Sequence, residues 1–117
     1  MGTAELLVDT DVLIDHLRGE RRLHRDGRRR GVSVISRCEL SAGSDQSAVL
    51  RALVGAMIEL PIDSAIAELA GITRRETGIA TPDALIAATA LMHRIPLMTR
   101  NRRRFEPVSG LQILAPA

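Results

Sequence analysis

Tryptophan, tyrosine and lysine are absent from this 117-residue chain, and phenylalanine and cysteine occur once each, as Phe105 and Cys38. A single cysteine excludes an internal disulfide and points to a reducing compartment. With one aromatic residue, stacking of ligand rings on side chains is nearly unavailable. Without lysine, all sixteen basic residues are arginine, and a sequence pI near 9.9 accompanies a net charge of only +2. The longest apolar run, Leu85 to Met92, is interrupted by Thr89 and is far too short to span a bilayer. No charged-then-apolar leader is visible at the amino end, so the expectation is a soluble, cytoplasmic protein. The length suits one domain over residues 1–117, with a core that needs no metal or disulfide staple.

What is present begins at Leu6-Leu7-Val8-Asp9. A short run with nothing polar inside it reads as a strand buried on both faces, ended by Asp9. From Asp11 the spacing turns helical, with Val12, Leu13, Ile14 and Leu17 on one side and Asp15, His16 and Arg18 on the other. Asp11 reads as the helix cap and Asp9 as a carboxylate at the carboxyl end of a strand, where open parallel sheets keep their ligands. Gly19 ends the helix, and the charged stretch Glu20 to Gly31 is expected to form a second, exposed helix.

Val32 to Ile35 is the next strand candidate, followed by a capping box: Ser36 as N-cap, Glu39 three residues on, Ile35 with Leu40 as staple. Ser44 or Asp45 caps a helix through Met57, and Ile58 to Ile62 is an edge strand closed by Pro61. Asp63 and Ser64 cap a helix whose inner face carries Ile66, Leu69, Ala70 and Ile72, ending near Gly78. Thr81, Pro82 and Asp83 open a helix as N-cap, N1 proline and first-turn acid, and its body from Ala84 to Met92 is apolar nearly all round. Leu97 to Thr99 is a strand, residues 100–104 a turn, and Leu111 to Leu114 a last strand. Strands alternating with helices imply a doubly wound α/β sheet, mostly parallel. Cys38, Met57, Met92 and Met98 read as core residues, and His16, His24 and His93 as surface ones.

Asp9, Glu39 and Asp83 each have a structural excuse, yet together they are three acids at three expected helix mouths on one sheet edge, with Thr99 and Asn101 at a fourth strand end. Crowded carboxylates repel one another unless a cation compensates them. Oxygen ligands suit Mg²⁺ or Mn²⁺, and no His or Cys cluster offers a zinc site. Such ions polarise a phosphoryl oxygen, generate a hydroxide and stabilise the leaving oxygen. Arginines gather at residues 21–30 and 100–104, an arrangement suited to a polyanion laid across an acidic centre, or simply to a solvated surface.

The segments Val8 to Asp15, Ser36 to Leu40, Pro82 to Ala90, and Thr99-Arg100-Asn101 with Phe105 resemble the four motifs of a PIN-domain ribonuclease, and more closely a VapC-type toxin of a toxin–antitoxin pair. The resemblance runs from about Leu6 to Leu114. It implies a three-layer fold with helices on both faces of the sheet, a metal-dependent endoribonuclease acting on structured RNA, a VapB-type antitoxin and a homodimer. By position, Asp9, Glu39 and Asp83 are the metal-binding acids. Asn101 stands where many relatives have Asp and orients water or substrate. Thr10, Thr99, Arg100 and Arg102 are candidate substrate-facing or supporting residues. Asp11 occupies a position often held by Ser or Asn, and Arg104 one often held by an acid or His. Asp9-Thr10-Asp11-Val12-Leu13 also fits the opening of a haloacid-dehalogenase-type phosphatase, but the later basic residue of that chemistry, commonly lysine, has no lysine to supply it. A response-regulator receiver meets the same objection. A PIN fold that binds RNA or an antitoxin without cutting remains the other alternative.

Overall fold

The computed structural model describes residues 2–43 and 48–116. Five strands form one sheet: β1 (Leu6–Val8), β2 (Arg30–Ser33), β3 (Ile58–Leu60), β4 (Leu97–Met98) and β5 (Ile113–Leu114). Their order is β3-β2-β1-β4-β5 and every pairing is parallel. The chain winds one way from β1 to β3 and the other way from β4 to β5. The reversal falls between β1 and β4, where Leu7 pairs with Leu97 and Val8 with Met98. Doubly wound sheets open their ligand crevice at such a point, beyond the carboxyl ends of the two strands.

Among the described residues there are six helices: α1 (Thr10–Leu17), α2 (Val34–Gly43), α3 (Ala48–Gly55), α4 (Ser64–Thr77), α5 (Thr81–His93) and α6 (Arg102–Phe105). Alternation along β1 sorts the layers. Leu6 and Val8 pack with Val12, Leu13, Leu40, Leu50 and Val54 from α1, α2 and α3. Leu7 packs on the opposite face with Ile86, Ala87 and Ala90 of α5 and with Phe105. On that same side, Ile66 and Ala70 of α4 meet Ala84 and Ala88 of α5. Alanines at that seam let the two helices approach closely, and α5 is consequently buried on nearly every side. The result is the three-layer α/β arrangement expected, with a sheet that is parallel throughout rather than mostly so.

Several boundaries differ from expectation. Residues 20–29 form no helix, and Gly31 lies inside β2, where a Cβ would meet Ala4 Cβ at 3.0 Å, Leu60 Cδ1 at 3.2 Å and the Leu6 carbonyl oxygen at 3.3 Å. That stretch has no apolar stripe to bury, so its charges stay in a surface loop. The strand expected over residues 32–35 spans 30–33, and α2 starts at Val34, making the Ser36 capping box wrong. Ser33 Oγ instead accepts from the Ile35 amide at 3.0 Å. The cap of α1 is Asp9 and not Asp11. The Ser44 and Asp45 caps lie outside the described residues, and α3 ends at Gly55 rather than Met57. Asp63 and Gly78 bound α4 as expected, with Gly78 left-handed at φ 77°, but Ile72 is exposed and Thr73 takes the inner position. Ala80, not Thr81, is the N-cap residue of α5, which moves Pro82 to the second position. Part of the expected 100–104 turn is α6, and the last strand is shorter than residues 111–114. Cys38 and Met92 are exposed, contrary to their reading as core residues.

Candidate active site

Asp9 is the first residue past β1 and the N-cap of α1. The backbone forces this position: its own amide donates to the Met98 carbonyl at 2.9 Å, extending the β1–β4 ladder by one residue into the crevice. Its side chain is 1% exposed and uses both oxygens. Oδ1 accepts from the Thr10 amide at 2.8 Å, while Oδ2 accepts from the Thr99 hydroxyl at 2.8 Å and from Arg104 Nη2 at 3.0 Å. Burial first, and then the neighbouring Asp11 charge, push the carboxyl up from 3.8 to about 6, against the pull of Thr99, Arg104 and the Thr10 amide.

Thr99 is the counterpart of Asp9 on β4, one residue past the strand. Its hydroxyl donates to Asp9 Oδ2 at 2.8 Å, lies 3.3 Å from Asp11 Oδ2, and accepts from the Asn101 amide at 3.1 Å. Thr10 does the same for the second motif. Its Oγ1 is 2.7 Å from Glu39 Oε1 and 2.8 Å from Ser36 Oγ. A hydroxyl has one proton to give; the carboxylate takes it, and Ser36 donates to Thr10. Glu39 therefore sits in the body of α2 as a partner of α1, and not at a helix mouth in a capping box.

Asp83 lies in the first turn of α5, half-buried, with Arg104 Nε 3.5 Å from its Oδ2. Burial, and beyond it the charges of Glu39 and Asp11, raise its pKa, while Arg104 lowers it. Asp11 thus acts on Asp9, and Glu39 and Asp11 act on Asp83. Two arginines from the segment after β4, Arg100 and Arg104, face these acids, and a third, Arg102, turns away. Arg104 bridges Asp9 and Asp83. Arg100 pairs with Asp15 at 2.7 Å and approaches Asp11 at 4.0 Å. Arg102 donates to the Ile113 carbonyl at 3.2 Å.

The structure brings together Asp9, Glu39, Asp83, Thr10 and Thr99. Asn101 is exposed at the start of α6 with no side-chain cap bond, and Arg102 turns toward β5. Sequence reasoning missed two residues. Asp15, expected on the outer face of α1, is 4% exposed and held by Arg100. Arg104 is the central cation of the pocket. The signal for both was available as a charge balance: Asp9, Asp11 and Asp15 within seven residues require cations from elsewhere, and 100–104 is the nearest arginine-rich strand end.

For a divalent ion the donor chemistry fits, because the groups on offer are hard carboxylate oxygens, and burial with neighbouring negative charge has raised the pKa of Asp9 and of Asp83. The guanidinium between Asp9 and Asp83 stands in for a cation and marks where positive charge is wanted. Among the described residues no three carboxylate, imidazole or thiol groups close around a common point in this arrangement. Arg104 fills the space between Asp9 and Asp83, and Thr10 holds Glu39.

Residues 6–111 match the family model of the PIN domain. The chain is 36% identical to Ribonuclease VapC19 of Mycobacterium tuberculosis over 91% of its length and 96% of that protein. Among solved structures it resembles a toxin-antitoxin complex from Klebsiella pneumoniae, at 32% identity, 98% coverage of both chains and a TM-score of 0.81. It also superimposes on a chain of DNA-bound VapBC from Salmonella typhimurium, at 22% identity, covering 98% of this chain and all of that one, with a TM-score of 0.86.

Proposed function

Because this chain belongs to the PIN domain family, we propose that it is a metal-dependent endoribonuclease, the toxin half of a type II pair held in check by a VapB-type antitoxin. The observation that carries the reading is Asp9: a carboxylate buried at the sheet's switch point, kept usable by Thr99, and facing Asp83 across a pocket of further acids. Likeness to Ribonuclease VapC19 and to toxin-antitoxin complexes supports both the reaction and the partner. A single domain over residues 1–117, a homodimer and a cytoplasmic location belong to the same reading. Among the described residues no helix is long and apolar enough to cross a membrane.

Asp9, Asp83 and Glu39 are the groups that would hold Mg²⁺ or Mn²⁺, which supplies Lewis acidity toward the phosphoryl oxygen and an activated water. The chain does the rest. Thr99 fixes the Asp9 carboxylate, Thr10 fixes Glu39, and the backbone amide of Thr10 keeps Asp9 Oδ1 from rotating. Asn101, exposed beside Thr99, is the polar group available to orient water or the scissile phosphate. Arg100, Arg102 and Arg103 line the approach and meet the RNA backbone, with RNA shape rather than aromatic stacking setting specificity.

Cleavage of total bacterial RNA by the purified protein tests this. Discrete fragments should appear with Mg²⁺ or Mn²⁺, vanish with chelator, and fall by at least about a hundredfold in Asp9→Ala and Asp83→Ala, the scale expected for groups acting only in the transition state. Identical behaviour of wild type and both variants, or no cleavage under any ion, would reject the nuclease and favour a PIN fold that binds without cutting. Asn101 in place of a fourth acid and Arg104 across the acid pair are the observations on that side.

A further inference from the structure

Arg104 is not one more arginine of a basic surface. Its Nη2 is 3.0 Å from Asp9 Oδ2 and its Nε 3.5 Å from Asp83 Oδ2, so one guanidinium spans the two carboxylates assigned to the ion. The contact is built: Arg104 belongs to α6, whose next residue, Phe105, is fully buried, and the guanidinium carbon stands 5.4 Å over that ring. Its neighbours are engaged elsewhere, Arg100 with Asp15 and Arg102 with the Ile113 carbonyl. The Arg104 side chain is nonetheless 40% exposed, which leaves it a route into solvent.

We infer that Arg104 is an internal competitor for the divalent ion, neutralising Asp9 and Asp83 in the metal-free protein and leaving them when the ion enters. This rests on the metal-site reading above. Two cations cannot use the same carboxylate lone pairs, and a guanidinium cannot give up its charge by losing a proton. Asp9 is sealed from water, so without Arg104 its charge would face the other acids uncompensated. The arrangement lets the chain fold with its acids assembled before any ion is present. The corollary is weaker metal binding than the same acids would give without the arginine.

Mn²⁺ titration of the full-length protein, read from the electron paramagnetic resonance of the free ion, tests the inference. Arg104→Gln should bind Mn²⁺ about tenfold more tightly than wild type, the equivalent of one charge-assisted contact no longer displaced. Arg104→Lys, which keeps the charge, should stay near wild type, and Asp83→Asn should bind weakly. A purely structural Arg104 would give Arg104→Gln equal or weaker binding, and that result overturns the inference while leaving the metal site standing. No uptake by wild type or Arg104→Gln removes the metal-site reading and the inference together. Should Arg104→Gln fail to fold, wild type decides: the Arg104 Nε–H resonance should move to a solvent-like position on saturation with Mg²⁺, and an unmoved resonance overturns the inference.

Discussion

At the residue scale, Asp9 is a group the fold would hold more easily as a neutral acid. Its carboxyl titrates at about 6 when folded against 3.8 unfolded, so the native state binds the proton more tightly. The stability this group contributes is complete below about pH 4 and is lost as pH rises through about 6. In chelator at pH 7.5, Asp9→Asn should therefore raise stability by about 2 kcal/mol, with no gain at pH 4, as urea unfolding at the two pH values will report. Metal uptake runs the other way. Mn²⁺ affinity should fall as pH drops from about 7 to about 5, because the ion needs the carboxylate that protons then occupy. Asp9 and Asp83 were legible in the sequence because each follows a pattern that ends abruptly at an acid, a strand for one and an N-terminal proline turn for the other. Arg104 was not, since nothing in local spacing says which of four arginines in 100–104 reaches across the pocket.

At the scale of elements, the instructive case is α2. Starting at Val34 and not after Ser36, the helix begins three residues earlier than the capping box implied, which puts Ser36 and Glu39 in its body. Ser36 and Leu40 point inward, Glu39 reaches Thr10, and Cys38 faces out. The capping-box pattern was a true local signal overruled by the Ser33 hydroxyl, which satisfies the Ile35 amide instead. Native Cys38 should accordingly react with a thiol reagent to about one equivalent without denaturant, where a core cysteine would stay silent. Gly31 makes the complementary point within β2. Three atoms, one of them a backbone carbonyl, crowd the position of its absent Cβ, so Gly31→Ala should cost about 1–3 kcal/mol in chemical unfolding even though alanine favours ordered backbone. Strands and the ends of α4 were readable because Asp63, Gly78 and the apolar runs carry unambiguous chemistry. Loop against helix in 20–29 was not, because charge alone marks exposure and says nothing of conformation.

On the scale of the whole molecule, alternation of strands and helices foretold a doubly wound sheet, whereas the strand order came only with the structure. That order puts β4 beside β1 and so brings Thr99 against Asp9, ninety positions away in the chain. The only aromatic ring is sealed in the core, leaving arginine to carry RNA binding. For the Asp83→Asn protein, affinity for a structured RNA should drop on the order of a hundredfold between about 50 and about 200 mM salt, as expected for roughly four phosphate contacts. A slope near zero would mean that other forces dominate. The distance in sequence between Asp9 and its partners also bears on synthesis. During translation β1, α1, β2 and α2 emerge early, yet Asp83, Thr99 and Arg104 lie in the last third of the chain, and β1 has no β4 to pair with until that third has left the ribosome. A nuclease so threaded would gather its acids only once Thr99 and Arg104 have been made, because until then Asp9 has neither the hydroxyl nor the guanidinium that holds it.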